Sequence, residues 1–269
     1  MGEIATNILA SGDGWSVGDV VCTAGPSDRP FEEEHHAVSI AVVVEGSFQY
    51  RSECSSEVMS PGSLLLGRYG RSFECGHEHG TGDRCVAFYY APEFFERAGS
   101  ACTFPVHRVP PIATLAPWVV RAGCALRAPA TAALEELAHG LAGAVLEVLE
   151  TSGGNSRTSA ADARRISATL RFIEANLSDS LPLDLLASTA RMSGFHFIRV
   201  FKKVTGVTPH QYILRARLRE AATRLKVRQE PVLEIALDTG FRDLSHFHHA
   251  FLAEFGVSPR AYRHQRSMR

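Results

Sequence analysis

At 269 residues, with 45% apolar and 21% charged side chains, the chain has room for two domains of ordinary size and is neither disordered nor fibrous. The net charge of −1 conceals an asymmetry: residues 157–269 carry 19 Arg and Lys against 10 Asp and Glu, whereas residues 1–156 carry 9 against 19. A basic second half joined to an acidic first half points to nucleic-acid contacts on one side only. No charged-then-apolar leader is visible, and the longest apolar run, around Ile40 to Val44, is far below the ~20 residues that span a membrane. A cytoplasmic protein with no membrane partner is the expectation. The six cysteines (22, 54, 75, 85, 102 and 124) are too scattered for a disulfide scaffold.

In chain order, residues 1–104 read as β structure. Val38 to Val44 is a β-branched run ending at the Glu45-Gly46 turn, Ser47 to Ser52 returns as a strand, Pro61-Gly62 turns again, and Ser63 to Leu66 and Val86 to Tyr90 are further strands. This spacing predicts a small barrel or sandwich. Residues 105–150 form a proline-rich connector with a short helix from Ala116 to Ala125, then an amphipathic helix from Thr131 to Glu150. Leu134, Leu137, Leu141, Val145, Val148 and Leu149 share one side of that helix, for a dimer contact or for packing on its own barrel. Residues 151–161, opening with Thr151-Ser152-Gly153-Gly154, read as a linker. Residues 162–269 read as all-α. Asp162 to Leu177 is a helix, and Thr208-Pro209-His210-Gln211 is a capping box that opens a long helix to about Lys226.

The most specific stretch lies near the end. Ile235-Ala236-Leu237 is the apolar part of a helix, Gly240 supplies the positive φ of a tight turn, and Asp243 caps a second helix with Phe247 and Phe251 on its buried face. Gly256 stops that helix, and Ser258-Pro259 starts another. The pattern is written twice: Phe201 to Tyr212 repeats Phe251 to Tyr262 as F-x4-G-V-[TS]-P-x2-Y, 50 residues apart, with Leu186-Ala187 and Met192-Ser193 standing roughly where Ile235-Ala236 and Phe241 stand. Two helix-turn-helix units follow from this, with recognition helices at Gly194 to Lys203 and Leu244 to Glu254.

Carried by Ala236, Gly240-Phe241, Ser245-His246-Phe247, Phe251, Gly256, Ser258-Pro259 and Tyr262-Arg263, and by their upstream echo, this half resembles the DNA-binding domain of the AraC/XylS family of bacterial transcription regulators. The resemblance covers residues 165 to 269. It implies an α+β chain with a cupin-like N-terminal sensor barrel and flanking helices, to which the Gly46 and Pro61-Gly62-Ser63 turns are similar. It also implies a small-molecule or metal effector, a homodimer through the amphipathic helix, RNA polymerase as a partner, and double-stranded DNA as the target.

In the recognition helices, Phe197, Val200, Phe201, Phe247, Ala250 and Phe251 fall inward. Phe195, His196, Ile198, Arg199, Lys202, Ser245, His246, His248 and His249 fall outward. By resemblance, Phe195, Ile198 and Arg199 face bases: Arg199 can bond both acceptors of a guanine edge, and Phe195 or Ile198 can meet a thymine methyl. A salt bridge within the domain is the alternative for Arg199. Lys202, Lys203 and Arg242 are placed for phosphates, which position without specifying. A long helix joining the units can set them about one DNA turn, roughly 34 Å, apart. Two positions depart from the family: His249 stands where arginine is usual, and Arg191 replaces the first unit's turn glycine, which puts that turn's geometry in question.

A second constellation is Cys75-Gly76-His77-Glu78-His79, with Asp83-Arg84-Cys85 beyond it and His35-His36 upstream. On an extended segment Cys75, His77 and His79 share one side, so a thiolate and two imidazoles could hold zinc, nickel or copper, with Cys85 or His36 as a fourth ligand. Two other readings stand beside this one: a Cys75–Cys85 redox pair, and residues that only shape an organic pocket or the fold. The rival functions are a metal-dependent cupin enzyme, dioxygenase-like, with a DNA-binding tail, and a repair protein with a reactive cysteine. No catalytic triad, phosphate loop or paired-carboxylate pattern is present, and a non-enzyme is expected.

Overall fold

A computed structural model describes residues 3–28, 30–53, 55–77, 82–97, 104–127, 129–151 and 159–265. Strands fill the first third: β1 (Ile4–Gly12), β2 (Trp15–Cys22), β3 (Phe31–Glu34), β4 (Val38–Gly46), β5 (Phe48–Ser52), β6 (Ser56–Met59), β7 (Leu64–Gly67), β8 (Ser72–Gly76) and β9 (Asp83–Tyr90). Helix α1 (Pro92–Arg97) and a two-residue strand β10 (Arg108–Val109) follow. Among the described residues the strands make two antiparallel sheets, ordered β1-β2-β9-β4-β7-β10 and β3-β8-β5-β6. The expected closed barrel is therefore a sandwich, because neither sheet's outer strands pair with the other sheet.

Period-two alternation explains the layering. In β4, Val38, Ile40 and Val42 face one core while Ala41 and Val43 face another, and Val86, Phe88 and Tyr90 of β9 alternate likewise with Cys85 and Ala87. The first core is closed by α2 (Ala116–Ala125) and α3 (Thr131–Thr151). The second is closed by Phe48, Tyr50 and Met59 of the smaller sheet. The apolar stripe of α3, including Leu134, Leu137, Leu141 and Val145, is buried in the first core, so it packs on its own sheet.

The C-terminal half comprises α4 (Ala160–Ala175), α5 (Leu183–Thr189), α6 (Gly194–Thr205), α7 (Pro209–Val227), α8 (Val232–Asp238), α9 (Leu244–Phe255) and α10 (Pro259–His264). Helix α4 begins two residues before the expected Asp162, because the Ser159 side chain caps it by accepting from the Asp162 N–H. Of the expected linker, residues 152–158 lie outside the described residues. The capping box at Thr208 and Gln211 is present. Helix α7 serves both units: Tyr212, Ile213 and Ala216 enter the core of the first, and Leu218, Ala221, Ala222 and Leu225 enter that of the second. Arg217 on α7 adds a polar tie, donating to the carbonyls of Leu177 at 2.9 Å and Asp179 at 2.6 Å. Leu237, expected to pack its helix, is instead 53% exposed, and Ile235 and Ala236 carry that packing.

Candidate nucleic-acid interface and sensor cavity

Helices α6 and α9 are built to one plan. The Ser193 hydroxyl accepts from the His196 N–H, and Asp243 Oδ1 accepts from the N–H groups of Ser245 (2.7 Å) and His246 (3.4 Å). Each closes on a left-handed glycine, Gly206 (φ 80°) and Gly256 (φ 72°). Phe197, Phe201, Phe247 and Phe251 are fully buried and hold each helix on its unit. The turns that launch the two helices match as well. The Met192 N–H bonds to Ala187 O as the Phe241 N–H bonds to Ala236 O, both at 2.9–3.0 Å. Arg191 adopts φ 54°, the left-handed conformation that Gly240 takes at φ 90°. The departure at Arg191 thus leaves the turn intact, at the cost of a side chain in a conformation L-residues avoid.

Phe195 is 82% and Ile198 38% exposed. Arg199, Lys202, Lys203, Arg242, Ser245, His246, His248 and His249 are exposed too, and His196 is half-buried. Arg199 makes no ion pair among the described residues. Its recorded contact is His196 Nδ1 at 3.4 Å, one turn back, so the alternative of an internal salt bridge is absent. The two faces differ in charge. Arg199, Lys202 and Lys203 stand on α6, where the same slots of α9 hold His249, Leu252 and Ala253.

The N-terminal half touches both units away from those faces. Arg108 donates to Thr205 O, a carbonyl at the C-terminal end of α6 where a cation is favoured. Arg215 donates to Pro111 O at 2.8 Å, Arg171 to Ser47 Oγ at 3.3 Å, and Val58 and Val120 enter the cores of the first and second units.

Between the sheets lies a cavity of about 430 Å³ whose lining includes His35, His36, Cys75, His77 and Cys85. His79 lies outside the described residues. The structure adds two members, Cys22 and Asp83. Cys22 Sγ is 4.0 Å from His77 Nδ1, His77 Nε2 is 2.5 Å from Asp83 Oδ2, and Cys85 Sγ is 3.5 Å from Asp83 Oδ1. Pairing of β2 with β9 sets Cys22 directly opposite Asp83. Gly82 makes the approach possible, because a Cβ there would sit 2.3 Å from Cys22 O.

Burial alone would lower the His77 imidazolium, but its bonds to Asp83 and Cys22 outweigh that and lift its pKa to about 9. Burial, then Asp83, push the Cys75 and Cys85 thiols well up. His35 Nε2 meets Tyr50 Oη at 3.1 Å, and its ring stacks on Phe73 at 4.2 Å. Burial, then His107 and His36, lower its pKa to about 4.

A family model described as a helix-turn-helix domain matches residues 186–265. The transposon Tn10 TetD protein of Escherichia coli is 44% identical over 94 residues, covering 35% of this chain and 68% of that protein. The HTH-type transcriptional activator AarP of Providencia stuartii is 39% identical over 98 residues, covering 36% and 73%. In longer relatives the match takes in 37% of one protein and 28% of another. Among solved structures, an AraC-type DNA-binding-domain regulator from Chromobacterium violaceum is similar at 28% identity and a TM-score of 0.38, covering 41% of this chain and 98% of that one. No helix among the described residues is long and apolar enough to cross a membrane. With the doubled units, their matched turns and these relatives together, the chain belongs to the AraC/XylS family of transcription regulators.

Proposed function

We propose that this chain is a cytoplasmic, sequence-specific regulator in which α6 and α9 enter successive major grooves of double-stranded DNA, while the cavity between the two sheets receives the effector. The observation that carries this reading is the pair of matched helices, fixed by one shared helix α7 and exposing Phe195, Ile198 and Arg199, with no carboxylate on Arg199 among the described residues. Arg199 reads bases, the lysines of α6 set register on phosphates, and α9 contributes contacts from Ser245 and its histidines. A homodimer and RNA polymerase contact belong to the same reading. Since the stripe of α3 is spent on its own sheet, a partner copy would meet the outer face bearing Glu135, His139 and Gly143. The chain works as a regulator and not as an enzyme. In-vitro site selection with the full chain should return a preferred sequence, and footprinting should show protection in two adjacent major grooves. Binding indifferent to sequence at moderate salt would refute the proposal.

A further inference from the structure

The cavity holds an unbroken run of ligand-type groups. Cys22 touches His77, His77 touches Asp83, and Asp83 touches Cys85, with a thiol at each end. Cys75, two residues before His77, lines the same space. Single ligand atoms of Cys22, His77 and Asp83 all lie within 4.8 Å of one another. None of these groups serves the DNA-binding units.

We infer that Cys22 and His77 bind a thiophilic divalent metal ion of the zinc class, with Asp83 orienting the imidazole, and that this ion is the effector of the regulator. Zinc bonds of ~2.3 Å to sulfur and ~2.0–2.1 Å to nitrogen place the two ligand atoms roughly 3.6 Å apart in a tetrahedral site. The observed 4.0 Å between Cys22 Sγ and His77 Nδ1 needs only a few tenths of an ångström of closure. The opposite ring nitrogen already meets a carboxylate, the outer partner that metal-bound histidines use to fix their tautomer and ring plane. Cys75 and Cys85 are the further sulfur donors the cavity offers. The site differs from the one expected from the local Cys75/His77/His79 spacing, because Cys22 comes from a strand 55 residues away.

Binding stands on this cluster alone, whereas the effector role rests on the regulator reading above. The test uses the reduced, chelator-stripped full chain titrated with cobalt(II), then with zinc against a chromogenic chelator. One cobalt per chain with a thiolate-to-metal charge-transfer band is expected. The band should vanish in Cys22→Ser and His77→Gln and persist in Cys124→Ser, whose thiol lies outside the cavity. Asp83→Asn should keep the band but weaken affinity about 10–100-fold. Circular dichroism identifies any variant that fails to fold, and the folded Asp83→Asn then decides. No stoichiometric metal, or a band unchanged in both ligand variants, overturns the site. Binding with DNA affinity the same with and without zinc overturns the effector role. Sequence-selective DNA binding measured in those same samples shows whether the regulator reading survives either failure.

Discussion

Exchanging residues between the two turns gives opposite results at matched positions. Arg191 and Gly240 occupy the same place, at φ 54° and φ 90°. An L-residue pays roughly 1–2 kcal/mol in that conformation. Arg191→Gly removes this cost but adds about 0.5–1 kcal/mol of unfolded-chain entropy. The net is a gain of about 0–1.5 kcal/mol. Gly240→Ala incurs the conformational cost, and its new Cβ would lie 2.4 Å from Leu177 O and 2.8 Å from Arg217 Nε. The carbonyl is backbone and is already held by Arg217, so it cannot give way. Overpacking of this kind costs about 1–3 kcal/mol, and after the ~0.5–1 kcal/mol of unfolded-chain entropy that alanine removes the total loss is about 1–4.5 kcal/mol. Urea denaturation of the full chain, followed by helical circular dichroism, measures both. A Gly240→Ala protein within 0.5 kcal/mol of the parent, or an Arg191→Gly protein that loses more than 1 kcal/mol, would refute the argument from turn geometry.

Arg199→Ala should weaken operator binding by about 1–3 kcal/mol and relax preference at one or two base pairs, read by repeating the site selection. Lys202→Gln with Lys203→Gln should weaken all sequences about equally and lower the slope of log K against log salt by about one per lysine, with preference unchanged. His35 titrates near 4 in the fold against 6.5 in the unfolded chain. The unfolded state therefore binds the proton first, and stability is intact above about pH 6.5 and falls as pH drops toward 4. His35→Gln should flatten that acid limb, seen by comparing urea midpoints at pH 7.5 and pH 5.

What could be read from the residues was whatever each stretch decides for itself. The caps at Thr208, Asp243 and Ser258, the glycine stops and the four-residue spacing of Phe247 and Phe251 are local requirements, and the structure meets them. Strand pairing is not local. Strands β1 and β2 carry too few consecutive apolar residues to signal themselves, and barrel closure depends on edges far apart in the chain. Cys22 was missed for that reason. Cys75, His77 and Cys85 stand together in the sequence, but Cys22 joins them only through the register that sets it opposite Asp83. Arg191 at the turn-glycine position put the first turn's geometry in question, and the structure keeps the glycine conformation there, with the neighbouring hydrogen bonds in place.

The placement of the contacts between the halves bears on how a signal could travel. Asp83 opens β9, whose neighbour β4 runs back to the Gly46 turn, where Ser47 accepts from Arg171 of α4. Tyr50 of β5 pairs with Cys75 of β8, and the β5-β6 hairpin carries Glu57, which faces Arg108 at 4.0 Å. Arg108 in turn holds the last turn of α6. A change in the spacing of the two sheets at the cavity would therefore be felt at α4 through Ser47 and Arg171, and at the last turn of α6 through Glu57 and Arg108. Strands transmit such a change because the interior is close-packed and has little slack. The second unit is reached separately, through Arg215 and Pro111. Because α7 carries residues of both cores, tilting α6 against α7 alters the relation of the two DNA-facing surfaces without unfolding either. The fold thus joins the ligand-type residues of the cavity to the basic face of α6 by one continuous set of contacts, which is the coupling that the proposed regulation requires.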